Sequence, residues 1–258
     1  MTNTLIVERI ANILILRINR PEVHNAIDAA TSLAIDAALH EAERDDAIGA
    51  VILTGTGDKT FCAGMDLKFA AREGVEHVMI PGRGFCGVTE RHDFAKPLIC
   101  AANGSAYAGG FEMLLACDIV IANDSARFAL PEIKRGLFAG AGGIVRMAQQ
   151  VPRAAALGLI LTGEPITAER AFQLGLVTAL APAGQVLEQA INTARIILAA
   201  APRSVIASKR LFNQAAHVSV AQGFELSRAT GAELMQGQDR MEGVKAFAEG
   251  RAAEWKDR

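Results

Sequence analysis

Little in these 258 residues points to a partner reached through bulk charge, to a metal or to a membrane. The formal charge is only −2, so no basic field recruits nucleic acid, and an anionic ligand needs a local cluster of Lys and Arg. There are four cysteines, Cys62, Cys86, Cys100 and Cys117, with no C-x-x-C spacing. Reduced, mostly buried thiols in a cytoplasmic protein are expected. His24, His40, His77, His92 and His217 are scattered, so no metal site is expected. The start, Met1-Thr2-Asn3-Thr4, shows no basic region leading into an apolar core, and no secretory signal is expected. No 18-residue apolar run survives, because Asp118 and Asn123 interrupt the longest candidate. Several signatures are missing as well. G-x-G-x-x-G meets Val145 at its last position, H-E-x-x-H meets Arg44, Ser105 lacks G-x-S-x-G, and there is no G-K-[ST].

What is present is concentrated between Leu98 and Gly143. An apolar run, Leu98 to Ala102, stops at Asn103-Gly104; Gly109-Gly110 then opens an apolar segment whose only charge is Glu112. A second run, Ile119 to Ala122, leads to Pro131-Glu132 and on to Gly140-Ala141-Gly142-Gly143. Strand, glycine turn, helix, strand, acid and glycine turn can expose backbone N–H groups beside carboxylates. That arrangement polarises a carbonyl and moves a proton next to it. Plainer readings fit the same residues. Glu112 suits the solvent edge of an apolar helix, and Pro131-Glu132 suits a helix start, where acids are favoured. The Gly140–Gly143 turn suits a helix N-terminus against a strand. Asp66 is expected to cap a helix, and Asp118 to satisfy backbone donors at a strand start.

Elsewhere, Leu5–Arg9 and Ile13–Ile18 read as strands joined at Ala11-Asn12, and Asp28 caps a helix running to about Glu43. Ala50–Leu53 is a short buried strand. Residues 72–92 carry no readable period. Helices are predicted over 153–161, 168–174, 186–200, 202–216, 218–236 and 239–251, with a last strand at 177–180. Strand–helix alternation before residue 182, followed by helices alone, predicts an α/β layer structure with a helical subdomain. The expected division is 1–195 and 196–258.

Five stretches together resemble the crotonase family, the enoyl-CoA hydratase/isomerase superfamily. They are Asn19-Arg20-Pro21 with His24-Asn25-Ala26; Phe61 to Leu67; Ala102 to Asp118; Phe128 to Glu132 continuing to Gly143; and Leu161 to Val177. The resemblance implies a spiral of repeated β-β-α units with a C-terminal helical trimerisation region, assembled as a trimer or a dimer of trimers. It implies an acyl-coenzyme A thioester as ligand, with coenzyme A part of the substrate and no separate cofactor. The N–H groups of Met65 and Gly109 match an oxyanion hole, and Glu112 and Glu132 the two catalytic acids of the hydratases. Ala26, Ala63, Asp66, Leu67 and Lys68 match positions near the adenine and pantetheine, and Gly140 belongs to the turn lining the water site. Arg20, Lys68 and Lys256 are candidates for phosphate contact, with solvated surface charge as the alternative. Phe247 and Trp255 match a region closing the acyl pocket, with core packing as the alternative. Two departures bear on substrate choice: Ala139 stands where the family often has proline, and Ala108 where it often has a third glycine.

Hydration of a 2-enoyl thioester asks three things of such a site. Charge on the thioester oxygen must be stabilised, water must reach Cβ, and Cα must receive a proton. Glu112 as a carboxylate takes the water proton and protonated Glu132 supplies Cα, although the sequence admits the reverse assignment. Isomerisation, carnitinyl-CoA-type dehydration, thioester hydrolysis and acyl-CoA binding without turnover are the alternatives.

Overall fold

Alternation between two sheets is what builds this chain, and it follows from pairs of short strands separated by turns. The computed structural model describes residues 3–257. β1 (Leu5–Ile10) and β2 (Ile13–Ile18) form an antiparallel hairpin through Ala11 at φ +50°. Asp28 accepts the Thr31 amide and starts α1 (Ala29–Arg44), whose apolar face carries Ile35, Ala38, Leu39 and Ala42 into the core.

Three β-β-α units follow. The first is β3 (Ala50–Gly55), β4 (Thr60–Cys62) and α2 (Leu67–Glu73). A hairpin, β5 (Met79–Ile80) and β6 (Gly84–Phe85), interrupts the series. The second unit is β7 (Leu98–Ala102), β8 (Ser105–Tyr107) and α3 (Gly109–Leu115). The third is β9 (Ile119–Asn123), β10 (Arg127–Ala129), a 3₁₀ turn over Pro131–Arg135, α4 (Gly143–Gln150) and α5 (Arg153–Thr162). The first strand of each pair enters one parallel run, β3-β7-β9; the second enters another, β4-β8-β10. Each unit therefore advances the chain by one strand in both sheets. β3 and β7 are buried throughout, which is why they read as continuous apolar runs rather than alternating ones.

β11 (Ile166–Thr167) closes the second sheet, and α6 (Ala168–Gln173) leads to β12 (Ala179–Ala181) at the edge of the first. The expected last strand thus shifts by one to two residues, because Thr178 spends its amide on Val120 and its hydroxyl accepts the Val120 amide. Residues 3–94 and 98–192 form one compact unit, and 95–97 with 193–257 form another. α7 (Val186–Leu198) runs across that division.

The second unit contains α8 (Pro202–Ala215), α9 (Val220–Leu234) and α10 (Glu242–Glu249). α9 begins later than the periodicity suggests, because Ser219 and Gln222 form a capping box. The predicted helix over 239–251 is instead a 3₁₀ turn, Gln238–Met241, followed by α10, which ends at Gly250 with φ +66°. Among the described residues no helix is long and apolar enough to cross a membrane, and no cluster of three His, Cys, Asp or Glu could hold a metal.

Candidate active site

Two glycine turns meet at the start of α3. In the turn after β4, Gly64 has φ +90°, and its carbonyl accepts the Ile27 amide at 2.8 Å. The Asp66 amide returns to the Ile27 carbonyl at 2.8 Å. A parallel bridge engages only alternate amides of one strand, so the Met65 N–H between them points away from Ile27. Asp66 then caps α2 as expected, accepting the Lys68 and Phe69 amides at 3.1 Å. Its other oxygen takes Arg20 at 3.0 Å.

The turn after β8 is tighter. Ala108, at φ +51° and ψ −130°, occupies backbone space that favours glycine. From it α3 starts at Gly109. Gly64 packs so closely here that a Cβ on it would stand 2.9 Å from the Gly109 nitrogen. A Cβ on Gly110 would run into the Cys62 carbonyl. Two bare backbones therefore touch, and neither the Met65 nor the Gly109 N–H donates a hydrogen bond among the described residues. One wall of this junction is Phe85, whose ring lies 2.8 Å from where a Gly109 Cβ would be.

One turn into α3, Glu112 is 3% exposed, which excludes the solvent-edge reading. Its Oε1 accepts the Gly143 amide at 2.8 Å. Burial pushes its carboxyl up to about 7; the Gly143 amide opposes the shift and the Glu132 carboxyl adds to it. Glu132 sits second in the Pro131–Arg135 turn, as a helix-start reading expects. Yet both its carboxylate oxygens are buried and make no hydrogen bond among the described residues. Burial raises it, with only its own backbone amide and Arg135 opposing. Phe111 stacks on Phe128 of β10, ring centroids 5.4 Å apart, and this fixes α3 against the second sheet.

The site residues read from the sequence divide accordingly. Met65 and Gly109 lie at the junction, Glu112 lies one turn into the helix that Gly109 opens, and Glu132 is near enough to Glu112 to raise its pKa. Ala26 is buried and its carbonyl takes the Arg20 guanidinium; Ala63 donates to the His24 carbonyl at 3.1 Å. Leu67 and Lys68 lie exposed on the first turn of α2. Gly140 packs against the Phe138 ring, and the contact between the glycine turn and Glu112 runs through Gly143 instead. Arg20 is neither a solvated charge nor an open cation, since Asp28, Asp66 and the Ala26 carbonyl engage it. Phe247 is 89% exposed, so core packing does not account for it. Asp118 accepts the Leu98 amide at 2.7 Å, the structural role expected of it. Phe85, which lies against Gly109, Thr89, which binds the Phe85 amide and Arg146, and Arg146, which acts on Glu112, carry no period or motif that sequence reading could find.

The sequence profile of the enoyl-CoA hydratase/isomerase family matches residues 8–258. The chain belongs to that family. Among curated relatives, a carnitinyl-CoA dehydratase of Salmonella arizonae is 38% identical, covering 99% of this chain and 99% of its own. Another, from Proteus mirabilis, is 35% identical over 96% of both chains. Among solved structures, an enoyl-CoA hydratase from Mycobacterium tuberculosis H37Rv aligns with a TM-score of 0.94 at 42% identity over 99% of both chains. A carnitinyl-CoA hydratase from Mycobacterium avium aligns with a TM-score of 0.80 at 45% identity over the full length of both. The winding of β-β-α units through two sheets is thus the family's crotonase fold, as the resemblance implies.

Proposed function

We propose that this family member is a hydro-lyase that adds water reversibly across the 2,3 double bond of a 2-enoyl-CoA thioester. The observation that supports this is two undonated amides, Met65 and Gly109, at the start of the helix that carries buried Glu112, with the buried Glu132 carboxyl acting on Glu112. With the thioester oxygen on the two amides, charge arriving from the double bond is stabilised; one such donor is worth roughly 2.7–4 kcal/mol in a comparable site. The Glu112 carboxylate removes a proton from water as the oxygen bonds to Cβ. The electron pair of the double bond moves into the thioester enolate, and the Glu132 carboxylic acid protonates Cα. Glu112 ends protonated and Glu132 ionised; exchange with solvent resets both. Dehydration runs the same steps backwards.

The Gly143 amide supports the base role of Glu112, because it stabilises the carboxylate. The Glu132 carboxyl oxygens accept no amide from another element, and burial raises its pKa, which suits the acid role. Coenzyme A belongs to the substrate here, and Ala26, Ala63, Asp66, Leu67, Lys68 and Gly140 are the proposed lining of its path. An assembly of three chains or two threes, a cytoplasmic location and a place in fatty-acid metabolism go with the same reading. A second reading, dehydration of a carnitinyl-CoA-type substrate, is favoured by the names of the curated relatives. It uses the same two acids on the same bond.

Turnover of crotonyl-CoA, 3-enoyl-CoA and carnitinyl-CoA by the purified chain decides between these. Hydration of crotonyl-CoA that is lost in both Glu112→Gln and Glu132→Gln is expected. Near-unchanged rates in either variant would remove that acid from the mechanism.

A further inference from the structure

Arg146 is absorbed by no step above, yet it adjoins the glycine turn that holds Glu112. It lies one turn into α4, its amide bonding to the Gly142 carbonyl at 2.9 Å. Gly142 has φ +103°, and a Cβ there would collide with the Arg146 guanidinium. The neighbouring residue, Gly143, holds Glu112 Oε1 at 2.8 Å. Guanidinium and carboxyl therefore flank two adjacent glycines. The other side of the guanidinium donates to the Thr89 carbonyl at 2.6 Å. Thr89 is buried, and its hydroxyl accepts the amide of Phe85, the residue against Gly109.

We propose that Arg146 is a positioning residue for Glu112, a fixed cation that favours its carboxylate and ties the glycine turn to the Phe85-bearing segment. This rests on Glu112 being the base. Among the described residues, the charged and titratable groups that act on Glu112 are Glu132, from the 3₁₀ turn, and Arg146, from α4; the Gly143 and Ala141 amides also act on it. Those facing Arg146 are Glu112, Cys117 at the end of α3 and Glu90 after β6. Arg146 is the only cation in the first set, and it opposes both burial and Glu132. A purely mechanical fork would hold Thr89 in place and leave the Glu112 titration alone. A positioning cation must move it.

The test compares Arg146→Met, Arg146→Gln and Arg146→Lys with the wild-type chain by infrared titration of the protonated-carboxyl stretch. Subtracting the Glu112→Gln spectrum isolates the Glu112 signal. This readout needs no turnover, so a wild-type chain inactive on enoyl-CoA overturns the hydratase reading alone. The Met and Gln variants are expected to move the Glu112 midpoint upward by about 0.5–1 pH unit, and Lys to bring it back. A neutral variant whose curve superimposes on the wild type overturns the proposal. So does a Lys curve that matches the neutral variants. If neither neutral variant folds, the Lys variant alone decides: a wild-type midpoint supports the proposal and a raised one overturns it.

Discussion

At the scale of single residues, Glu112 joins the site's chemistry to the protein's stability. Its folded carboxyl sits at about 7 against an ordinary 4.5, so the folded chain binds that proton more tightly than the unfolded one. The displacement corresponds to about 3 kcal/mol. That stability is fully present below pH 4.5 and is lost as pH rises through 7. Glutamine keeps an acceptor for Gly143 and has no charge to desolvate. Glu112→Gln is therefore expected to melt higher than wild type at pH 8, equal to it near pH 4, and to lose at least ~100-fold in hydration. Thermal melts at the two pH values check this; equal gains at both would show that the carboxylate is not strained by burial. Ala108 makes the opposite case, a backbone cost without a charge. At φ +51° and ψ −130° a Cβ is disfavoured by about 1–2 kcal/mol, and glycine's extra unfolded-state freedom offsets only part of that. Ala108→Gly is expected to raise the melting temperature by a few degrees, as read by calorimetry.

Elements explain what was legible in the sequence. Strands 50–55 and 98–102, the cap at Asp28 and the glycine pair opening α3 announce themselves, because burial, capping and close approach each demand a residue type at a fixed place. Residues 72–92 do not, because tertiary ion pairs hold them rather than any period of their own. Asp36 on α1 takes Arg83 at 3.1 Å and also pairs with Arg91, whose Nε donates to the Gly87 carbonyl at 2.7 Å. No pattern within 72–92 reveals a partner near position 36, so Phe85 could not be placed at the site from sequence. Glu112 was legible as a lone charge in an apolar segment; its bond to Gly143 was not, since the two residues lie 31 positions apart. Asp36→Ala removes the common partner of two arginines, leaving the Arg91 side chain, 3% exposed, short of its anion. Faster amide exchange over 83–91 is expected, with α1 and β7 unchanged and the apparent KM for enoyl-CoA raised several-fold. Unchanged exchange in that window would show that the hairpin holds itself.

For the whole molecule, exposed apolar surface is what remains to be explained. In the second unit Phe212 is 77% exposed, Val220 79%, Phe224 62% and Phe247 89%. They lie on α8, α9 and α10, where a solvent-facing surface would be polar. Apolar residues in such numbers fit a surface that another chain would cover, and a stable interface needs about 800 Å² from each partner. The proposed assembly of three chains or two threes would supply such a cover. Light scattering during size exclusion is accordingly expected to give three or six times the 27.2 kDa chain. Phe212→Glu combined with Phe224→Glu places two charges on that surface and is expected to lower the mass toward one chain while α8 and α9 keep their helicity. If the wild type already runs as a monomer at micromolar concentration, these phenylalanines are not interface residues. Loss of mass without loss of hydration would then separate assembly from chemistry, as expected if both acids and both amides come from within residues 65–132 of one chain.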